Sequence, residues 1–488
     1  MMRALVVKEA RAQAPAFVAA LVAVVAAAAF TRFRPLGTFA YFVGAAALGA
    51  LSIGHEYSYH TLGALLAQPV RRHRLLLAKL GVLAPMLVVL SAVAGAANDA
   101  RPPEAAIAFA VLPVLAGLFV APWLTMVCRG PLGGTVFTLT LPGMILSASA
   151  LAFLALHGHG PGQGFDLVVA SRATLVLSAV GSVMIWPMFL RLEVIDGPGP
   201  QLRLPQWLGR RTAARVPAPV FTARNPVWQL VNKELRLQQM TFAVMGFYLV
   251  GWCALTLSLR SEGIDPEEVF VGLTVPYSAL IAVLIGSLAS ADERQLGTLE
   301  WQMLLPLAAW RQWAIKVATI VTLALLVALV VPMLLAAIGG ARNFAWFNPK
   351  LVAAVATFTI GSLYVSSLSR SGVGALLASL PALMAPGLFV EWLFTHPGAA
   401  VFRMVADASG WPSPRLAPRP SSLRALDASF WAIGAGVVAL VLWFGLTNHR
   451  SAERAMTHLR TQVVWLALAL TLAVTLLSAA RAWLWIPL

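Results

Sequence analysis

Residues 314–338 read AIKVATIVTLALLVALVVPMLLAAI, 25 residues carrying a single charge, Lys316, close to the start. At about 1.5 Å rise per residue, a helix of this length crosses the roughly 30 Å hydrocarbon core of a bilayer. Similar runs lie on both sides of it. Before it come Ala14–Phe30, Gly37–Ile53, Leu80–Ala97, Ala105–Val127, Gly134–Leu156, Leu167–Leu190, Thr241–Leu259 and Val269–Ser290. After it come Leu351–Ser369, Gly372–Phe394, Phe430–Thr447 and Val463–Ala480, which makes thirteen runs. The first run follows a long segment containing Glu9 and precedes many more spans, so it reads as an uncleaved first helix rather than a signal peptide.

Composition agrees. Of 488 residues, 59% are hydrophobic and only 11% are charged, whereas soluble domains carry roughly 25% charged residues. A water-facing surface cannot be built from so few charges, so lipid is the expected solvent. The sequence predicts an all-α, polytopic transmembrane helical bundle with short loops and no large soluble domain.

The net charge of +16 raises the question of nucleic acid. The basic residues are instead distributed in short loops between apolar runs, as positive-inside topology requires, and nucleic-acid binding is not expected. The densest clusters are Arg71, Arg72, Arg74 and Lys79, and then Arg203, Arg210, Arg211 and Arg215. Placing both inside puts the N-terminus in the cytoplasm of a bacterial inner (plasma) membrane. The loop from His396 to Ser429, with four Arg, falls outside and is long enough for a small extracytoplasmic element. The two cysteines, Cys128 and Cys253, offer no disulfide framework or metal spacing and read as small buried residues.

The chain divides into a first half at residues 1–190, a Pro/Gly-rich cytoplasmic linker at 191–224, a second half at 225–447, and a loop with an extra span at 448–488. The linker includes Gly197-Pro198-Gly199-Pro200, which sustains neither helix nor sheet. The two halves repeat one another. Lys8-Glu9 through Phe17 aligns with Lys233-Glu234 through Phe242, with five of ten residues identical. After the second run of each half, a gapless match extends over 24 positions: Glu56, Thr61, Leu62, Pro69, Arg74 and Lys79 coincide with Glu293, Thr298, Leu299, Pro306, Arg311 and Lys316. A weaker match pairs Arg129 and Gly133 with Arg370 and Gly374. Both halves hold six runs and begin inside, so the expected repeats are parallel, related by an axis along the membrane normal. Within the longer match, a short helix-forming stretch ends at a proline that cannot continue it. This predicts a short exposed helix on the cytoplasmic face, presented twice; a solvated re-entry loop whose charges only set topology is the simpler alternative.

These residues resemble the ABC-2 type transporter permeases. The likeness rests on the Lys-Glu opening and on the segment from Glu56 to Lys79, with its second copy from Glu293 through Gly297-Thr298-Leu299 to Lys316; the first copy departs by having His60 where the second has Gly297. The resemblance implies six spans per half, lead-in helices at Lys8–Phe17 and Asn225–Phe242, and coupling helices around Glu56–Pro69 and Glu293–Pro306. The matched residues of both copies would couple to two ABC-type ATPase subunits, and Lys8, Glu9, Lys233 and Glu234 would belong to the lead-in helices. It further implies export of a substrate that the sequence does not name. No Gly-x-x-x-x-Gly-Lys-Ser/Thr loop occurs, so ATP and Mg²⁺ would bind the partner ATPase and no cofactor is expected in this chain. The thirteenth span lies outside the family pattern.

Other chemistry is weaker. His55-Glu56-Tyr57-Ser58-Tyr59-His60 resembles a zinc-protease helix, but the histidines are five apart, not four, and the second copy of the repeat lacks them. His157 and His159 have no third ligand nearby. Glu391 and Arg172, at the outer ends of spans, are possible pathway residues, with snorkelling to the headgroups as the plainer explanation. A polytopic enzyme acting on lipid-linked substrates is the alternative from another class, and would need clustered Asp, Glu or His at one membrane face. A membrane anchor without transport is a third reading.

Overall fold

The computed structural model describes residues 2–29, 34–59, 61–97, 103–157, 165–192, 226–262, 266–298, 307–339, 349–393, 404, 420–451 and 455–484. The linker at 193–225, most of the loop 394–419, His60, His159, Asn225, Leu299 and Pro306 lie outside the described residues. Within them every regular element is helical. Thirteen helices are long and apolar enough to cross a bilayer, at the stations the apolar runs predict.

The first half comprises α1 (Met2–Ala29), α2 (Arg34–Ser58), the short α3 (Leu62–Leu66), α4 (Arg72–Ala96), α5 (Pro103–Leu115), α6 (Ala121–Cys128), α7 (Pro131–His157) and α8 (Phe165–Leu190). After the linker come α9 (Pro226–Leu237), α10 (Gln239–Glu262), α11 (Pro266–Gln295), α12 (Ala309–Leu325), α13 (Val331–Gly339), α14 (Pro349–Leu368), α15 (Gly372–Leu393), α16 (Pro420–Arg450) and α17 (Ala455–Leu484). The pairs α5–α6 and α12–α13 each form one span, joined by π turns at Ala116–Val120 and Leu326–Val330. Each π turn stands just before a proline, Pro122 or Pro332. A proline has no N–H and clashes with the carbonyl four residues back; widening the preceding turn relieves the clash. In the second case the freed carbonyls find donors on α11: Tyr277 Oη donates to Val327 O at 3.1 Å and Ser278 Oγ to Ala328 O at 2.7 Å.

Two spans occupy the centre. In α2 and α11 the apolar windows are 78% and 72% buried, far above most of the others. Both use a glycine for close approach to a neighbour. A Cβ on Gly49 would fall 1.9 Å from the Gly117 carbonyl, and one on Gly286 would fall 2.4 Å from the Thr359 carbonyl. The surface is apolar instead of charged, with Val88, Ile107, Val183, Leu472 and Leu476 exposed, as lipid contact demands.

The halves interlock. The core formed by α1, α2 and α4 also takes in Val373, Leu376, Leu377, Leu380 and Met384 from α15. Reciprocally, the core of α10 to α14 takes in Val136 from α7. Thus α1 packs against α15 and α10 packs against α7.

Two sequence expectations change. Lys8 to Phe17 is not a separate lead-in helix: α1 runs unbroken through Pro15. In the second half the lead-in helix α9 is distinct, ending in a turn at Gln238 before α10. The cysteines are not both buried either: Cys128 is half-buried at the end of α6, and Cys253 is exposed on α10.

Candidate functional site: two buried lysine–glutamate clusters

The charged residues that the two sequence copies share converge in space. In the first half, Lys79 enters from α4, as the eighth residue of that helix, just past its second turn. Its Nζ lies 2.9 Å from Glu9 Oε2 on α1, 3.0 Å from the Ser52 carbonyl and 3.3 Å from Glu56 Oε1 on α2. All three side chains are sealed, with Glu9, Glu56 and Lys79 at most 3% exposed. Lys8 completes the cluster from the rim, 3.9 Å from Glu56 and half-exposed. Thr61, just before α3, donates its hydroxyl to the other oxygen of Glu56.

The second half builds the same arrangement from the equivalent residues. Lys316 on α12 bonds Glu293 on α11, lies 3.5 Å from Glu234 on α9, and donates to the Ala289 carbonyl at 2.9 Å. Lys233 also bonds Glu293. Thr298 donates to the backbone carbonyl of Glu293 rather than to its carboxylate, at 3.3 Å. Each cluster therefore holds two cations and two carboxylates, and neutrality is what makes the burial tolerable.

The balance is not uniform within each cluster. Burial pushes the Glu234 carboxyl up to about 7, and the negative charge of Glu293 adds to the shift against the opposing pull of Lys316 and Lys233. Its Oε2 has no hydrogen-bond partner among the described residues, nor has Oε1 of Glu9. Gln238 on the turn after α9 donates to the Ile285 carbonyl at 3.0 Å and accepts from Thr241 at 2.8 Å. Its counterpart in the first half, Gln13, is buried with neither amide atom paired.

This placement corrects the expectation that the matched charges are displayed for docking. Glu56, Lys79, Glu293 and Lys316 are interior, as are Glu9 and Glu234. What remains exposed is the segment between them. Arg74 and Pro69 are exposed, while α3 is anchored in the core by the buried Leu65 with the half-buried Leu62 and Leu66 packed beside it. In the second copy Arg311 is exposed and stacks on Trp310 at 5.2 Å. Gly297 closes α11 with φ of +66°, the left-handed conformation that glycine adopts without a Cβ penalty. Arg129 and Arg370 are both exposed, on the turns into α7 and α15.

The clusters stand at one end of the bundle. A Cβ on Gly54, near the end of α2, would meet Pro131 Cβ at 2.4 Å, and that same α6–α7 turn borders a cavity shared with Asp292 of α11 and Gly372 of α15. Arg172 is exposed on α8 and Glu391 is half-buried in the last turn of α15; neither joins a cluster.

A polar network unseen in the sequence ties the thirteenth span to this end. Arg294 donates to the Asn448 carbonyl at 3.2 Å. The buried Asn448 amide bonds Ser367 at 3.1 Å and accepts from Gln462 of α17 at 2.9 Å, and Tyr364 donates to Gln462 at 2.9 Å. The pairing of Asn448 with Gln462 across the short α16–α17 turn is the signal a sequence reading could have used. No family model, no curated protein and no solved structure matches this chain.

Proposed function

We propose that the chain is the membrane-spanning subunit of an ATP-driven exporter of the ABC-2 permease type, working with two separate ATPase subunits. The observation that carries the reading is the pair of equivalent Lys–Glu clusters. Each joins the lead-in segment, the second span and the third span of its half, and each frames the short stretch between the second and third spans. A push on that stretch would be passed to three helices through a rigid, buried charge contact instead of being lost in loop motion. Two such stations at one end of the bundle suit a two-fold motor.

The packing supports two parallel six-helix repeats. Exchange of α1 against α15 and α10 against α7 matches the first span of each half with the fifth span of the other, as a two-fold axis along the membrane normal would require. With the cluster end inside, the N-terminus is cytoplasmic and the exposed positions on and after α3 face the motor. Lys8, Glu9, Lys233 and Glu234 then act as anchors of the coupling segments. Thr61, Leu62, Pro69 and Arg74 of the first copy, with Gly297, Thr298, Leu299, Pro306 and Arg311 of the second, form or flank the contact surface.

The test is affinity purification of the full chain from its native membrane, with a cysteine at Gln68→Cys for crosslinking. Recovery of a Walker-containing ATPase, crosslinked through that position, supports the proposal. A preparation without any ATPase, or one whose crosslinks avoid the α3 segment, overturns it.

A further inference from the structure

The carboxylate of Asp292 has no use in either charge cluster. It sits one residue before Glu293, yet Lys316 and Lys233 both reach Glu293 and Glu234 instead. Among the described residues no donor and no cation pairs with Asp292. The residue is half-buried. It lies so close to the start of α15 that a Cβ on Gly372 would fall 2.4 Å from Oδ1. Both residues line a cavity of 170 Å³, together with Cys128, Gly133, Met240 and Gln295. The cavity is thus made from α6, α7, α10, α11 and α15, at the junction of the two halves.

A carboxylate that lines a cavity and has no protein partner is a ready acceptor for a cation that donates hydrogen bonds. We infer that this cavity is a binding site for a primary amine, whose ammonium group pairs with Asp292. The dimensions agree, since 170 Å³ holds a group of a few heavy atoms. The chemistry agrees as well. An ammonium carries three donors, and the Gln295 amide oxygen offers a second acceptor beside the carboxylate. The apolar wall from Met240, Leu296 and Val373 suits a short methylene stem. The position equivalent to Asp292 in the first half is His55, whose ring packs at a tilt against Tyr59 with centroids 4.4 Å apart, so the site exists once. Asp292 lies within the last turn of a membrane span, at headgroup depth, so the amine can come from a phosphatidylethanolamine headgroup or from a soluble amine. The site does not depend on whether the chain transports anything.

The chain has two cysteines, and one of them lines the cavity, which supplies a direct readout. In full-length Cys253→Ser protein, Cys128 is alkylated with iodoacetamide in the presence of ethanolamine, methylammonium or choline. Ethanolamine and methylammonium should slow the alkylation, and choline, which has no N–H donor, should not. Asp292→Asn should raise the half-protecting amine concentration about tenfold or more, the scale of one charge-assisted hydrogen bond. Gln295→Leu, at a half-buried position, should raise it by a smaller factor. Native mass spectrometry of the wild type then separates the sources. Retained phosphatidylethanolamine in excess of phosphatidylglycerol assigns the site to lipid, and soluble-amine protection without retained lipid assigns it to a free amine. Equal protection in the wild type and Asp292→Asn, or protection by choline equal to that by methylammonium, overturns the inference.

Discussion

Lys79 and Glu9 meet at 2.9 Å from helices far apart in sequence, and both side chains are sealed from solvent. The contact is half of a neutral cluster, so its removal has an asymmetric consequence. Lys79→Met leaves two carboxylates buried with only the rim cation Lys8, and should cost roughly 3–5 kcal/mol. Adding Glu9→Gln removes one of the stranded charges and should restore part of that loss. Thermal unfolding in detergent of the two single variants and the double variant gives the coupling directly. Additive losses would mean that the pair contributes nothing beyond its separate side chains.

Glu234 gives the second cluster a pH signature. Its carboxyl is held up to about 7 in the folded chain against an ordinary 4.5. The native state therefore keeps a proton that the unfolded state releases between these two values. Its stabilising effect is complete below pH 4.5 and is lost as pH rises to about 7, at most roughly 3 kcal/mol in all. Glu234→Gln cannot titrate and lacks this slope. Melting temperatures of the two proteins should converge, or cross in favour of the variant, as pH rises through that window, and run parallel above it. A constant difference from pH 4.5 to 7 would contradict the shift.

The spans were legible because lipid forces each crossing helix to be apolar along its whole length, and Ala314–Ile338 or Leu80–Ala97 has no other reading. The matched segments were legible because identical residues recur in the same order. What those residues do was not. Glu56 and Lys79 stand at the ends of a loop segment, where charge ordinarily means solvent, and the pairing partner Glu9 lies in a different match. The signal was present all the same: Lys8, Glu9, Glu56 and Lys79 are all identical in the second copy, and two cations with two anions suggest one neutral cluster. The π turns were hidden for a different reason. Pro122 and Pro332 announce a disturbance of the helix, but whether it becomes a kink or a widened turn depends on donors such as Tyr277 and Ser278 on a neighbouring span.

The glycines of the central spans should be intolerant of the smallest side chain. Gly49→Ala places a methyl group 1.9 Å from the Gly117 carbonyl, and Gly286→Ala places one 2.4 Å from the Thr359 carbonyl. Backbone cannot yield as a side chain does, so α2 must separate from the π turn before α6, and α11 from α14. Overpacking of this kind costs roughly 1–3 kcal/mol. Gly81→Ala on α4 is the control, since nothing lies within 4 Å of its Cβ, and it should be neutral or gain up to about 1 kcal/mol of helix propensity. Equal melting temperatures for Gly49→Ala and Gly81→Ala would rule out the close approach.

The thirteenth span should depend on one amide pair. Asn448 is fully buried, and its exchange of hydrogen bonds with Gln462 brings α17 against α14 and α16. Interhelical bonds of this type contribute about 0.6 kcal/mol each in lipid, with upper values near 2, so Gln462→Leu alone loosens α17 without unfolding the bundle. Asn448→Leu does more. It also strips Ser367 of its donor and leaves Gln462 facing an apolar side chain, though the backbone carbonyl that Arg294 uses survives. Hydrogen exchange at the α17 backbone amides in detergent measures the docking with both amides in place. That rate should rise several-fold in Asn448→Leu, with the melting temperature of the remaining bundle nearly unchanged. An unchanged rate would show that apolar packing, not the amide pair, holds α17 in place.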